Sequence, residues 1–125
     1  MDRIGIEKVI QIYFDASFEG SREKMHRVFR PEAHIYGITE GDSTLVDMPR
    51  DIFAEMVGST PRVADPGKVR KDEIHFIEFS SEHAAVAKVS LLVHNTHFTD
   101  FLTFVYLDGE WRVIAKLYYG KMVER

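Results

Sequence analysis

One carboxylate stands on an otherwise apolar strand face of this chain, and it is the sharpest candidate for chemistry. Asp100 lies in the run Phe98-Thr-Asp-Phe-Leu-Thr-Phe-Val-Tyr-Leu107, and Asp108-Gly109 separates that run from Glu110-Trp-Arg-Val-Ile-Ala-Lys-Leu-Tyr-Tyr119. Both runs are rich in β-branched and aromatic residues, and Asp-Gly suits the positive φ angles of a two-residue hairpin turn. With Tyr106 opposite Trp111, period-2 alternation puts Phe98, Asp100, Leu102, Phe104 and Tyr106 on one face beside Trp111, Val113, Ala115, Leu117 and Tyr119. A charge on such a face must be neutralised, paired or used. In an apolar pocket its pKa rises, which suits a general acid or a hydrogen-bond donor to a ligand carbonyl. The alternative is a pairing role, with backbone amides or a lysine satisfying the carboxylate.

Other candidates are weaker in type or spacing. Tyr13 and Tyr119 can present hydroxyls to an interior, since a buried tyrosine normally finds a partner, but both also suit plain core packing. Phe14, Phe29, Phe53, Met56, Phe98, Phe104 and Trp111 are suited to stacking on a flat heterocycle and equally to packing on one another. His94 and His97 flank a turn with the spacing of a metal-ligand pair. No third ligand lies near them in sequence, so no metal site is expected. His26, His75 and His83 have no supporting context. There is no Gly-rich phosphate loop, Ser-His-Asp signature or zinc-type helix motif, and no cofactor is implied.

These side chains need elements to position them. Residues 4–18 place Ile6, Val9, Ile10 and Tyr13 at helical spacing, and Glu19-Gly20 ends that helix. Ser21 is a good N-cap for a second short helix carrying Met25, Val28 and Phe29, with Pro31 expected to stop it. A strand is expected at residues 33–38 and a short extended piece at 44–46. Pro49 then opens a third helix with Ile52, Phe53, Met56 and Val57 as its apolar stripe, closed by Gly58. Residues 58–67 read as a loop and a candidate flap over a pocket. Four long strands follow, at about 69–79, 83–94, 97–107 and 110–120. Carrying the register back through their hairpins puts Ala87, Val89, Leu91, Val93, Ile74 and Phe76 on the Asp100 face. The opposite face, with Phe101, Ile114, Lys116 and Tyr118, is mixed and suits a homodimer interface.

Helices followed by a long antiparallel meander indicate an α+β fold with the helices on one sheet face. The 125 residues suit one domain spanning 1–125 with a single core. A net charge of −4 with scattered basic residues argues against nucleic-acid or anionic-membrane partners. The absence of cysteine excludes disulfides and thiol chemistry. No apolar run reaches membrane-spanning length and no signal peptide opens the chain, so the expectation is a soluble, cytoplasmic protein.

The order of elements, Tyr13 on the first helix, Phe29-Arg-Pro-Glu-Ala33 before the first strand and Asp108-Gly-Glu-Trp-Arg-Val113 in the last hairpin resemble the nuclear transport factor 2-like superfamily. Within it, Phe98-Thr-Asp-Phe-Leu102 with Asp108-Gly-Glu-Trp111 and Lys116 is most similar to the lumazine-binding branch. The resemblance covers nearly the whole chain. It implies a cone-shaped fold: a curved, mostly antiparallel sheet wrapped around three helices from the N-terminal half, open at one end into a pocket. It also implies dimerisation through the outer sheet face, and functions ranging from isomerases, dehydratases and cyclases to non-catalytic association domains. Tyr13 resembles the oxyanion-hole tyrosine of the steroid isomerases, and Asp100 lies in the strand region of their protonated acid. Their aspartate base has no counterpart in Tyr36-Gly37-Ile38. His34 falls where related dehydratases and cyclases carry polar pocket residues, and a neutral imidazole there suits a base. The expected function is therefore a small-molecule-binding domain for an apolar or aromatic ligand. The alternatives are a proton-transfer enzyme using Asp100 as general acid with Tyr13 or His34, and a non-catalytic dimeric association domain.

Overall fold

The first helix, α1 (Arg3–Glu19), starts where the Asp2 carboxylate accepts the Gly5 N–H, and it ends at Gly20, whose left-handed φ of 69° closes the last turn onto the Ala16 carbonyl. Ile6, Ile10, Tyr13 and Phe14 form its buried stripe. The side chain of Ser21 accepts the Lys24 N–H and caps α2 (Arg22–Val28). The computed structural model describes residues 1–61 and 70–123.

Strand β1 runs from Phe29 to Thr39, so α2 ends before Pro31 and that proline lies inside the strand. Phe29, expected on the helix stripe, and the residues before the expected strand start at 33 belong instead to β1. A proline cannot donate to a ladder, and the pairing of β1 with its neighbour is accordingly irregular between Phe29 and His34. A short β2 (Val46–Pro49) leads into α3 (Arg50–Ser59), with Pro49 at its N-cap. The long strands are β3 (Glu73–Ser81), β4 (Ala84–Val93), β5 (Thr96–Leu107) and β6 (Glu110–Met122). Residues 58–59 of the anticipated flap belong to α3, and its residues 62–67 lie outside the described residues.

Among the described residues the strands form one six-stranded sheet in the order β2-β1-β6-β5-β4-β3, with β1 parallel to β6 and every other pair antiparallel. The three helices pack on its concave face, giving an α+β cone. The last hairpin turns at Asp108 and Gly109 with φ of 54° and 80°, and Tyr106 does sit opposite Trp111. No helix among the described residues is long and apolar enough to cross a membrane.

Two β-bulges alter the anticipated faces. Phe104 pairs with Val113 but Thr103 pairs with Ala115, so Ile114 is the extra residue. A bulge sets two successive residues against one partner and resets the alternation beyond it. Lys116, Tyr118 and Gly120 therefore share the inner face with Leu102, Asp100 and Phe98, while Leu117 and Tyr119 turn outward. In β3 the register shifts between Ile74 and Phe76, so Ile74, Ile77 and Phe79 pack inward and Phe76 is exposed.

Candidate functional site

At its open end the cone encloses a cavity of about 300 Å³. Tyr13 and Ser17 of α1, Phe53, Met56 and Val57 of α3, Leu91 and Val93 of β4, Phe98 of β5 and Lys116 and Tyr118 of β6 line it, with Thr60, Pro61 and His94 at the rim. Pro61 is held there by His94, whose Nε2 donates to its carbonyl over 2.9 Å.

The floor of this cavity carries a chain of three polar groups. Lys116 Nζ donates to the Tyr13 hydroxyl over 2.5 Å, and that hydroxyl donates to Asp100 Oδ2 over 2.5 Å. Lys116 Nζ lies 3.9 Å from the same carboxylate oxygen. Asp100 is 0% exposed, Tyr13 1% and Lys116 6%. The Lys116 ammonium is also boxed by aromatic rings, with its nitrogen 4.5 Å from the centre of Phe53, 4.8 Å from Tyr13 and 5.5 Å from Tyr118. Ring faces attract a cation, and removal from water strengthens that attraction.

Burial dominates the electrostatics. It pushes the Asp100 carboxyl above the usual carboxylate range, against the opposing pull of the Lys116 ammonium, the Tyr13 hydroxyl and His97. It pushes the Lys116 ammonium below its ordinary value, against the pull of Asp100. Both shifts favour the neutral pair. Tyr13 is raised well above its ordinary value by burial and then by the Asp100 charge, so it stays a hydroxyl. Burial and the same carboxylate raise Tyr118. Asp100 Oδ1 is buried without a partner among the described residues, which is less costly on a neutral carboxyl than on a carboxylate. Tyr13 is thus a two-way bridge. Lys116 passing a proton to the Tyr13 oxygen while Tyr13 passes its own to Asp100 converts ammonium and carboxylate into amine and carboxylic acid.

The anticipated residues are divided by this geometry. Tyr13, Phe53, Met56 and Phe98 line the cavity with Lys116. Phe14, Phe29 and Phe104 are buried in the core beyond the lining, where Phe29 packs edge-on against both Tyr13 and Phe53. Asp100 does not line the cavity and meets it through Tyr13 and Lys116, which do. Trp111 lies away from this cavity, packed against Phe79 of β3 and Tyr106 of β5. Tyr119 is 45% exposed on the outer face, a consequence of the Ile114 bulge. His34 also faces outward from β1, where its Nδ1 donates to Asp47 Oδ1 over 2.9 Å. It does not approach Asp100 through any described contact.

Lys116 and Tyr118 are the site residues that strict alternation assigns to the wrong face. A signal for Lys116 existed: a buried carboxylate needs a cation, and Lys116 on the adjacent strand meets it if one bulge intervenes. Tyr118 depends on Gly37, its pairing partner on β1, because a Cβ there would come 2.0 Å from the Tyr118 ring.

A family model described as "Putative lumazine-binding" matches residues 1–119. The chain is 26% identical over 109 residues to the protein named Aldolase FrzH from Cladobotryum sp., covering 86% of this chain and 82% of that one. Its structure is similar to that of an NTF-2 like protein of unknown function from Silicibacter pomeroyi, with a TM-score of 0.79, 26% identity and 92% of each chain covered. A second similar structure, an NTF2-like protein from Shewanella baltica, has a TM-score of 0.83 at 22% identity and covers 95% of this chain and 93% of its own.

Proposed function

The chain belongs to the family described as "Putative lumazine-binding", and from that premise we propose that it is a small-molecule-binding domain. Its ligand is a compact apolar or aromatic compound carrying a carbonyl or similar oxygen. The observation that carries this reading is a mainly apolar cavity of about 300 Å³, partly walled by aromatic rings, with the Lys116–Tyr13–Asp100 chain at its floor. That volume lies at the small end of ordinary ligand sites, and few convergent polar groups in an apolar pocket fix a ligand's orientation. Phe53, Phe98 and Tyr118 supply faces for a flat ring, and Lys116 and Tyr13 supply hydrogen-bond donors to its oxygen. Asp100 acts as a positioning residue, orienting the Tyr13 hydroxyl from behind.

A second reading, proton-transfer catalysis, is favoured by the short bridge through Tyr13. A relay that places an amine and a hydroxyl backed by a carboxyl at the same cavity wall can take a proton from one atom of a bound carbonyl compound and return one to another. Asp100 as general acid then works through Tyr13, without touching the substrate. The aldolase name carried by one relative fits a pocket that handles carbonyl compounds. The purely associative reading has no comparable support at the site.

Binding is tested by calorimetric titration with lumazine and with acetophenone, each compared with a matched hydrocarbon of the same ring size. The carbonyl compounds should bind more tightly, and Lys116→Met should remove that preference while Phe53→Ala weakens both classes. No binding by any member, or no preference for the carbonyl, would overturn the reading.

A further inference from the structure

Lys116 does more at this wall than donate a hydrogen bond: we infer that its amine is a nucleophile that forms an imine with an aldehyde or ketone held in the cavity. The inference rests on the ligand-binding reading above and adds a covalent step to it. Three features converge on Lys116 Nζ. It lines an apolar cavity wide enough for an aromatic ring. Its hydrogen-bond partner, Tyr13, is hydrogen-bonded in turn to a buried carboxyl. Phe53, Tyr13 and Tyr118 hold it among ring faces instead of water. A desolvated lysine of this kind is activated because it carries less charge than an exposed one, and burial does lower its pKa.

The step balances with groups already present. The Lys116-to-Tyr13-to-Asp100 proton shift leaves a free amine and a neutral Asp100. The nitrogen lone pair attacks the carbonyl carbon, forming the C–N bond, and the carbonyl π pair moves onto oxygen. One amine proton passes to that oxygen, giving the carbinolamine. Asp100 then returns its proton through Tyr13 to the hydroxyl, the C–O bond breaks and water leaves. The nitrogen lone pair closes the C=N bond. The net change consumes one carbonyl, one amine and one carboxylic acid, and yields one protonated imine, one carboxylate and one water. The positive imine is formed beside the carboxylate that stabilises it. No oxidant or reductant enters.

The intact protein at neutral pH is treated with benzaldehyde and sodium cyanoborohydride, which reduces an imine to a stable benzyl amine, and the modified lysine is found by peptide mass mapping. Lys116 should carry the benzyl group ahead of the exposed Lys8, Lys71 and Lys121, and loss of that mass shift in Lys116→Arg provides a control. Benzyl alcohol, which has the ring without the electrophilic carbon, separates the two levels of the argument. It should bind by calorimetry and slow labelling of Lys116. If benzyl alcohol binds but benzaldehyde labels only surface lysines, the imine is refuted and the binding cavity stands. If neither compound engages the cavity, the imine and the binding reading fall together.

Discussion

Lys116 and Asp100 together set an unusual balance at the residue scale. Each is buried deeply enough that desolvation outweighs its partner's attraction, so the pair contributes more to chemistry than to stability. Removing one partner alone leaves a buried polar group short of a hydrogen bond, which costs about 1–3 kcal/mol. We expect Lys116→Met to lose stability on that scale in urea denaturation, and Lys116→Met/Asp100→Leu to match or exceed the parent. A single variant as stable as the parent would show that the pair is not coupled. The pH dependence has a definite sign. The folded pKa of Asp100 is raised, so its contribution to stability is fully present below the unfolded value of about 3.9 and is lost as pH rises through the folded one. The stability of the parent relative to Asp100→Asn should therefore decline from about pH 4 upward. A flat difference would assign Asp100 an unshifted, solvated environment.

The elements place this pair through two backbone devices. The Ile114 bulge bends β6 and keeps Lys116 and Tyr118 directed inward, opposite Leu102 and Asp100. Gly37 on β1 leaves room for the Tyr118 ring. Gly37→Ala should therefore displace Tyr118 from the box around Lys116, costing about 1–3 kcal/mol in thermal or urea denaturation as overpacking does, with weaker binding of aromatic ligands. Gly109 answers a different need. Its φ of +80° in the last hairpin is strained for any side chain although space is open there. Gly109→Ala should cost about 1–2 kcal/mol and leave ligand binding unchanged. The two glycines are distinguished by that second readout, since one acts through the site and the other through the turn.

For the whole molecule, the outer sheet face carries exposed Phe76, Phe101 and Leu117 in one cross-strand row, with Lys88 of β4 between Phe76 and Phe101 and with Tyr119 beside it. We propose a second copy of the chain as its occupant, since this face is the mixed apolar surface that dimers bury. Sedimentation at micromolar concentration should give a dimer, and Phe101→Glu should give a folded monomer. A monomeric parent would remove the proposal. The order of helices and strands, the Asp108-Gly109 hairpin with Tyr106 opposite Trp111, and the oddity of Asp100 were all legible in the chain, because helical spacing, turn chemistry and strand alternation are local rules. The faces of Lys116, Tyr118, Tyr119 and Phe76 were not. Local alternation holds only until a residue is inserted, and the cost of a bulge is decided by what lies across the sheet. Sequence by itself determined the family of the fold and a buried carboxylate in need of a partner. Only the tertiary structure decided that the partners are Tyr13 and, behind it, Lys116, because the bulge opposite Thr103 and Phe104 turns Lys116 toward Tyr13 of α1 and Phe53 of α3, which are distant along the chain.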